Sequence, residues 1–192
     1  MRKIIGFKLP ARVKELQRRA RKAGLRVCES RVDEAPLGRL LERAVKASTP
    51  SVLFETFSHP DPEQALLSSM PGLAYSLVLV TLGSGFDAFR EQTAREDPST
   101  ACLWPLIQDV LLDEATRFAT ALLEDEAARE SCELSPFTTL SGAAALGAAL
   151  KKLEFAKIGV ALSEDGGLLP GASAAVSLSW LSKSKSKGKS KS

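Results

Sequence analysis

The stretch Ala74-Tyr-Ser-Leu-Val-Leu-Val-Thr-Leu82 decides the fold class. It is apolar almost throughout and stops at Gly83. It is about half the length that a membrane-spanning helix needs. An apolar run this short, rich in β-branched residues, reads as a central strand covered on both faces. Upstream, Ser51-Val-Leu-Phe-Glu-Thr-Phe-Ser58 reads as a second strand. Downstream, Ser173–Trp180 reads as a third, with Ala175, Val176, Leu178 and Trp180 as its apolar members. Lys157–Leu162 is expected to be a strand as well. Glu164-Asp-Gly-Gly167 then forms a turn that sends Leu168–Ala172 back as a hairpin or tight reversal.

Helices fill the intervals. Residues 11–26 place Val13, Leu16, Ala20 and Ala23 on one face, with Pro10 suited to the start and Gly24 to the end. A second helix is expected from about Leu37 to Lys46, stopped by Pro50. A short turn falls near Gln64–Leu67, and another helix starts near Gly85. A long one runs from about Leu103 to Arg129, with Leu106, Val110, Ala115, Phe118, Ala119 and Leu122 in helical register. Residues 130–142 read as a connection, and Ala143–Leu153 as an alanine-rich helix.

The 192 residues are 44% hydrophobic and 26% charged, the balance of a globular domain that needs no metal or disulfide to fold. The expected organisation is a single domain over 1–181, in which the N-terminal stretch 1–48 is basic and helical. A Lys/Ser tail, 182–192, cannot bury anything and is expected to be disordered. Charge is unevenly spread. Residues 1–46 carry 14 basic and 5 acidic side chains, residues 47–182 carry 7 and 18, and the tail carries 5 lysines. A basic arm can be attracted to its own acidic body or to an acidic partner. Nucleic-acid binding is disfavoured by the acidic body and by the lack of a basic-aromatic platform. Cys28, Cys102 and Cys132 are odd in number and widely spaced, which fits neither a disulfide framework nor a zinc site. The simple reading is a reducing compartment and a cytoplasmic protein without membrane or export segments.

Reactive motifs are sparse. One histidine, His59, excludes two-histidine metal sites within a chain, and packing or capping a loop is its simplest role. Thr81-Leu-Gly-Ser-Gly85 is a glycine-bearing strand-to-helix turn. Such turns can hold an anion, but more often they are tight connections. No independent catalytic constellation stands out.

The sharper clue is an order of segments. Lys157-Ile-Gly-Val-Ala-Leu-Ser-Glu164 is followed by Leu168-Leu-Pro-Gly-Ala-Ser173 and a small-residue strand. Leu134-Ser-Pro136 lies about 20 residues upstream, and Leu77–Gly83 and Leu112-Asp-Glu-Ala115 precede it. Together these resemble the reactivation (activation) domain of cobalamin-dependent methionine synthase, in particular its free-standing, single-domain members. The resemblance implies an α+β fold, with a mixed, largely antiparallel twisted sheet packed with helices. It implies a module that supports reductive methylation of cobalamin by S-adenosylmethionine. The partners implied are a corrinoid-binding module and a flavoprotein electron donor. The binding residues implied are Glu133, Leu134, Ser135 and Pro136 in a proline loop, and Pro170, Gly171, Ala172 and Ser173 before the last strand. The two segments are expected to share one cleft facing the corrin. The family's arginine falls at Glu133, and Phe137 and Thr138 replace its glycine and tyrosine. A glutamate facing the donor's carboxylate would repel it, and an unpaired buried charge costs roughly 3–5 kcal/mol. The alternative implied is a binding or scaffold module of the same fold that has lost S-adenosylmethionine binding.

Overall fold

The computed structural model describes residues 1–24, 34–68 and 70–183. Its centre is β3 (Ala74–Thr81), seven of whose eight residues are buried. On one side β3 pairs with β2 (Ser51–Ser58), from Ser51↔Thr81 to Ser58↔Ala74. On the other it pairs with β8 (Ser173–Ser182), from Ala74↔Trp180 to Thr81↔Ser173. An N-terminal strand, β1 (Arg2–Ile5), adds to β2. Two short strands, β4 (Cys132–Leu134) and β5 (Thr138–Thr139), add to the free side of β8. The sheet runs β1-β2-β3-β8-β4 and is antiparallel throughout. The expected α+β architecture is therefore what the chain adopts.

The continuous apolar run of β3 is explained by helices on both sheet faces. Even-numbered side chains, such as Val78, Val80, Val176 and Leu178, enter the larger core. This core is closed by α1 (Val13–Lys22), α2 (Glu34–Ala47), α4 (Ser84–Glu96) and the 26-residue α5 (Trp104–Arg129). Odd-numbered side chains, such as Leu53, Tyr75, Leu77 and Ala175, enter a second core with Leu67 of α3 (Gln64–Leu67) and Leu146 of α6 (Ala143–Lys152). Polar atoms inside the sheet are matched. Trp180 Nε1 donates to Ser76 Oγ at 2.7 Å, and Ser76 Oγ also meets Thr56 Oγ1 at 2.7 Å.

Several sequence expectations need correction. The connection 130–142 contains β4 and β5, which are too short and too polar to announce themselves and exist because β8 offers them an edge. Lys157–Leu162 is mostly not a strand. Phe155–Ile158 form a 3₁₀ turn, Gly159 takes a left-handed conformation at φ 71°, and only Ala161–Leu162 (β6) pair with Leu168–Leu169 (β7). The hairpin itself is present. β1 gave no signal in the basic N-terminal run. Ala23 is exposed, so α1 packs through Leu16 and Ala20. Cys102 is disulfide-bonded and Cys132 is a buried free thiol. This overturns the expectation of unpaired cysteines and removes the argument for a reducing compartment. The last strand continues to Ser182; the rest of the expected tail, 184–192, lies outside the described residues, as does Cys28. Among the described residues no helix is long and apolar enough to cross a membrane.

The basic arm meets the acidic body. Arg2 pairs with Glu126, Arg12 with Glu114 at 3.0 Å, and Arg19 with Asp113, all three acids lying on α5. Glu114 is almost fully buried and is also held by Arg117 at 2.7 Å.

Replacing Ser76 by alanine leaves the buried indole N–H of Trp180 without an acceptor. A loss of about 1–3 kcal/mol is expected, read as a lowered urea midpoint with an unchanged m-value.

Candidate functional site

β8 carries both candidate segments, at opposite ends. Leu134 lies opposite Trp180 and Glu133 opposite Leu181. Ser135 follows in a break between β4 and β5, where its N–H donates to Ser179 O at 2.9 Å and its Oγ accepts from Ser179 N–H at 2.9 Å. A proline fits here because it supplies no donor where the ladder is already interrupted. At the other end, Ser173 Oγ donates to Thr81 Oγ1 at 2.8 Å, Ala172 O accepts from Leu82 N–H at 2.9 Å, and Gly171 O accepts from Gln108 Nε2 at 3.3 Å. Trp180 and Ser173 are seven residues apart along one strand, which is roughly 23 Å at about 3.3 Å per residue. Glu133–Pro136 and Pro170–Ser173 therefore do not share a cleft.

Glu133 is exposed on the outermost strand. The cost attached to a buried, unpaired charge at this position does not arise, because the carboxylate stays in water. Beside this end of β8 lies a cleft of about 330 Å³, whose lining includes Trp180, Glu55, Glu126, Glu130, Thr56 and Ser58. Glu126 is taken by Arg2, and Glu55 is met by the amino terminus at 2.7 Å. Glu130, at the end of α5, makes no ion pair among the described residues. The cleft is thus suited to a cation. Across the sheet, Met70, Leu73 and Phe137 are 40%, 60% and 41% exposed. They are tied to the same span of β8: Ser179 Oγ donates to Met70 O at 2.8 Å, Leu73 N–H donates to Trp180 O at 2.8 Å, and Phe137 precedes the β5 pairing with Ser177. The hydroxyl of Ser177 is buried there without a partner.

A polar knot on the same face was not visible in the sequence. Asp61 Oδ2 accepts from Tyr75 OH at 2.7 Å and from Lys152 Nζ at 2.6 Å. The two hydrogen bonds, that of Lys152 the stronger, hold the Asp61 carboxyl down to about 2. Burial, with Asp61 beside it, pushes the Tyr75 hydroxyl well above its ordinary value. His59 packs on Tyr75 with ring centroids 5.7 Å apart, and neither ring nitrogen has a partner. Loop packing is therefore its role in this structure. The only advance signal was a proline-flanked Asp61 beside a buried strand; Lys152 comes from 91 residues away. The Thr81–Gly85 turn is a tight connection: a Cβ on Gly85 would stand 2.5 Å from Ala47 O.

Fold and clefts define an antiparallel α+β domain with a concave, acid-lined end and no group of three or more metal-ligating side chains among the described residues. Neither a protein-family profile nor a curated protein matches the sequence. Among solved structures, the chain is similar to the MetH reactivation domain bound to AdoHcy. The TM-score is 0.58 at 14% identity, over 96% of this chain and 79% of that one. At this identity the likeness establishes the fold.

Asp61 also yields a pH signature. Its carboxyl is lowered from 3.8 to about 2 in the folded chain, so its contribution to stability is present above pH 3.8 and is lost as pH falls towards 2. Denaturant midpoints measured from pH 5 to 2 are expected to fall less steeply for Asp61→Asn, with the gap between variant and wild type closing at the acid end.

Proposed function

We propose that this chain is a stand-alone reactivation-type module that binds S-adenosylmethionine at the Trp180 end of β8 and serves a corrinoid-binding partner. The carrying observation is the fold shared with the MetH reactivation domain bound to AdoHcy. The acid-lined cleft adds chemical support. A sulfonium and an ammonium are both cations, and Glu130 is a carboxylate with no ion pair among the described residues. The proposed contacts are Trp180 and Glu130, which line the cleft, and Leu134, which pairs with Trp180; Glu133, Ser135 and Pro136 follow along the same sheet edge and do not line it. The Pro170–Ser173 segment is about 20 Å away and takes the role of fixing the start of β8 against Thr81. Arg2, the arginine that lines this cleft, is held by Glu126. When bound, the ligand supplies the methyl group; the chain's task is to hold it in place. Positioning of this kind needs no catalytic side chain. The corrinoid partner, and with it cobalamin, rests on the fold likeness alone, and a flavoprotein donor draws no support from it.

A second reading keeps the docking and drops the methyl donor. It is favoured by Glu133 at the family's arginine position and by the exposed Met70, Leu73 and Phe137 around Ser179. Exposed apolar side chains of this sort serve a protein partner better than a small polar ligand.

Titration calorimetry separates the two. Under the first reading both S-adenosylmethionine and AdoHcy bind below millimolar concentration. Glu130→Gln then weakens the charged sulfonium roughly two- to fivefold, the worth of one partly screened charge pair, and leaves the neutral thioether unchanged. Absence of heat from either compound up to millimolar concentration would leave only the docking reading.

A further inference from the structure

The far end of the molecule holds a cleft with a different chemistry. Between α4 and α5 lies a space of about 480 Å³, larger than the one at Trp180. Ala94, Trp104 and Pro105 give it an apolar floor, and Arg90, Gln108 and Asp109 give it polar groups. One side is rigidly built. Arg90 Nη1 donates to Gln108 Oε1 at 3.1 Å, its Nη2 stands 3.5 Å from Asp87 Oδ1, and Gln108 Nε2 donates to Gly171 O at 3.3 Å. The charge of Arg90 is therefore already balanced by Asp87. Trp104 is 3% exposed, packs edge-on against Phe86 and Phe89, and leaves its indole N–H without an acceptor.

Asp109 is the group that remains unmatched. It sits exposed at the rim and makes no ion pair among the described residues. Its neighbour Asp113 is taken up by Arg19. Partial burial and the like charge of Asp113 push the Asp109 carboxyl up, against the opposing pull of Arg19. Glu91, also at the rim, reaches Arg95 at 3.8 Å between two exposed side chains. An apolar floor with a few convergent polar groups is the usual make-up of a small-molecule site, and among the described residues the surplus charge here is negative.

We propose that the α4–α5 cleft is a second ligand site, separate from the Trp180 end, for a small organic cation with a flat apolar body. The apolar portion lies on Ala94 and Pro105, and the ammonium faces Asp109. The site is independent of the methyl-donor reading, because it uses other residues at the opposite end of β8.

The test is an amide NMR titration of the full chain with tryptamine, and with indole-3-acetate as a ring of the same shape and opposite charge. Tryptamine is expected to shift amides of Arg90–Asp109 saturably, and Asp109→Asn to weaken it about fivefold, as befits one lost charge attraction. Ala101→Trp, which places a large ring at an exposed lining position, is expected to abolish the shifts while the rest of the spectrum keeps its folded dispersion. Indole-3-acetate is expected to bind more weakly. No saturable shift with tryptamine would overturn the proposal, as would shifts confined to another surface. Tighter binding of indole-3-acetate, or an Asp109→Asn variant that binds tryptamine as the wild type does, would also overturn it. If the Asn variant failed to fold, Ala101→Trp alone would decide.

Discussion

Everything in this fold is hung on the pairing of β3 with β8. Eight consecutive residue pairs, from Ala74↔Trp180 to Thr81↔Ser173, join strands about a hundred residues apart in sequence. The register is over-determined. A slip of one residue would move Val176 and Leu178 out of one core and Ala175 out of the other, because successive side chains face opposite sides. It would also separate Trp180 Nε1 from Ser76 Oγ and Ser173 Oγ from Thr81 Oγ1, bonds that pin the two ends of the pair. A long-range pairing of this kind is entropically costly to close, and two apolar cores on its two faces offset that cost.

From β8 the functional geometry follows. Its free side seats β4 and β5, so the polar, proline-containing connection becomes ordered beside Ser177–Trp180. Its start is fixed on Thr81 and Gln108. The strand thereby acts as a spacer between an acid-lined end and an apolar cleft at the other. The charge asymmetry of the sequence is largely internal: Arg2, Arg12 and Arg19 lie on acids of α5. Exposed pairs among these add little each, but together they fasten the N-terminal arm along one helix.

Much of the fold was legible in the sequence because its major elements carry strong periodicity. The run 74–82, the strand 51–58 and the long helix ending at Arg129 have their lengths and faces set by local apolar spacing. What escaped was what depends on a distant neighbour. Thr138–Thr139 is a strand only because Ser177 and Val176 lie beside it. Arg2–Ile5 is a strand only because β2 has an open edge. Lys157–Leu162 looked like a strand from its apolar content, yet it begins inside the 3₁₀ turn Phe155–Ile158, whose Phe155 and Ile158 side chains fill the second core. The candidate site divided in the same way. The two motifs were expected to share one cleft, but sequence order does not say where along the last strand the proline loop lies. The distance between them became visible only with the register. Lys152 and Asp109 carried no local signal, since their surroundings are assembled from separate helices and loops.

The most direct measurement is the set of cross-strand proton contacts along β8, read by nuclear Overhauser spectroscopy. The expected pattern joins Leu134 to Trp180 at one end and Thr81 to Ser173 at the other, with no contact between 133–136 and 170–173. Contacts linking those two segments to each other would contradict it, and would return them to a single cleft.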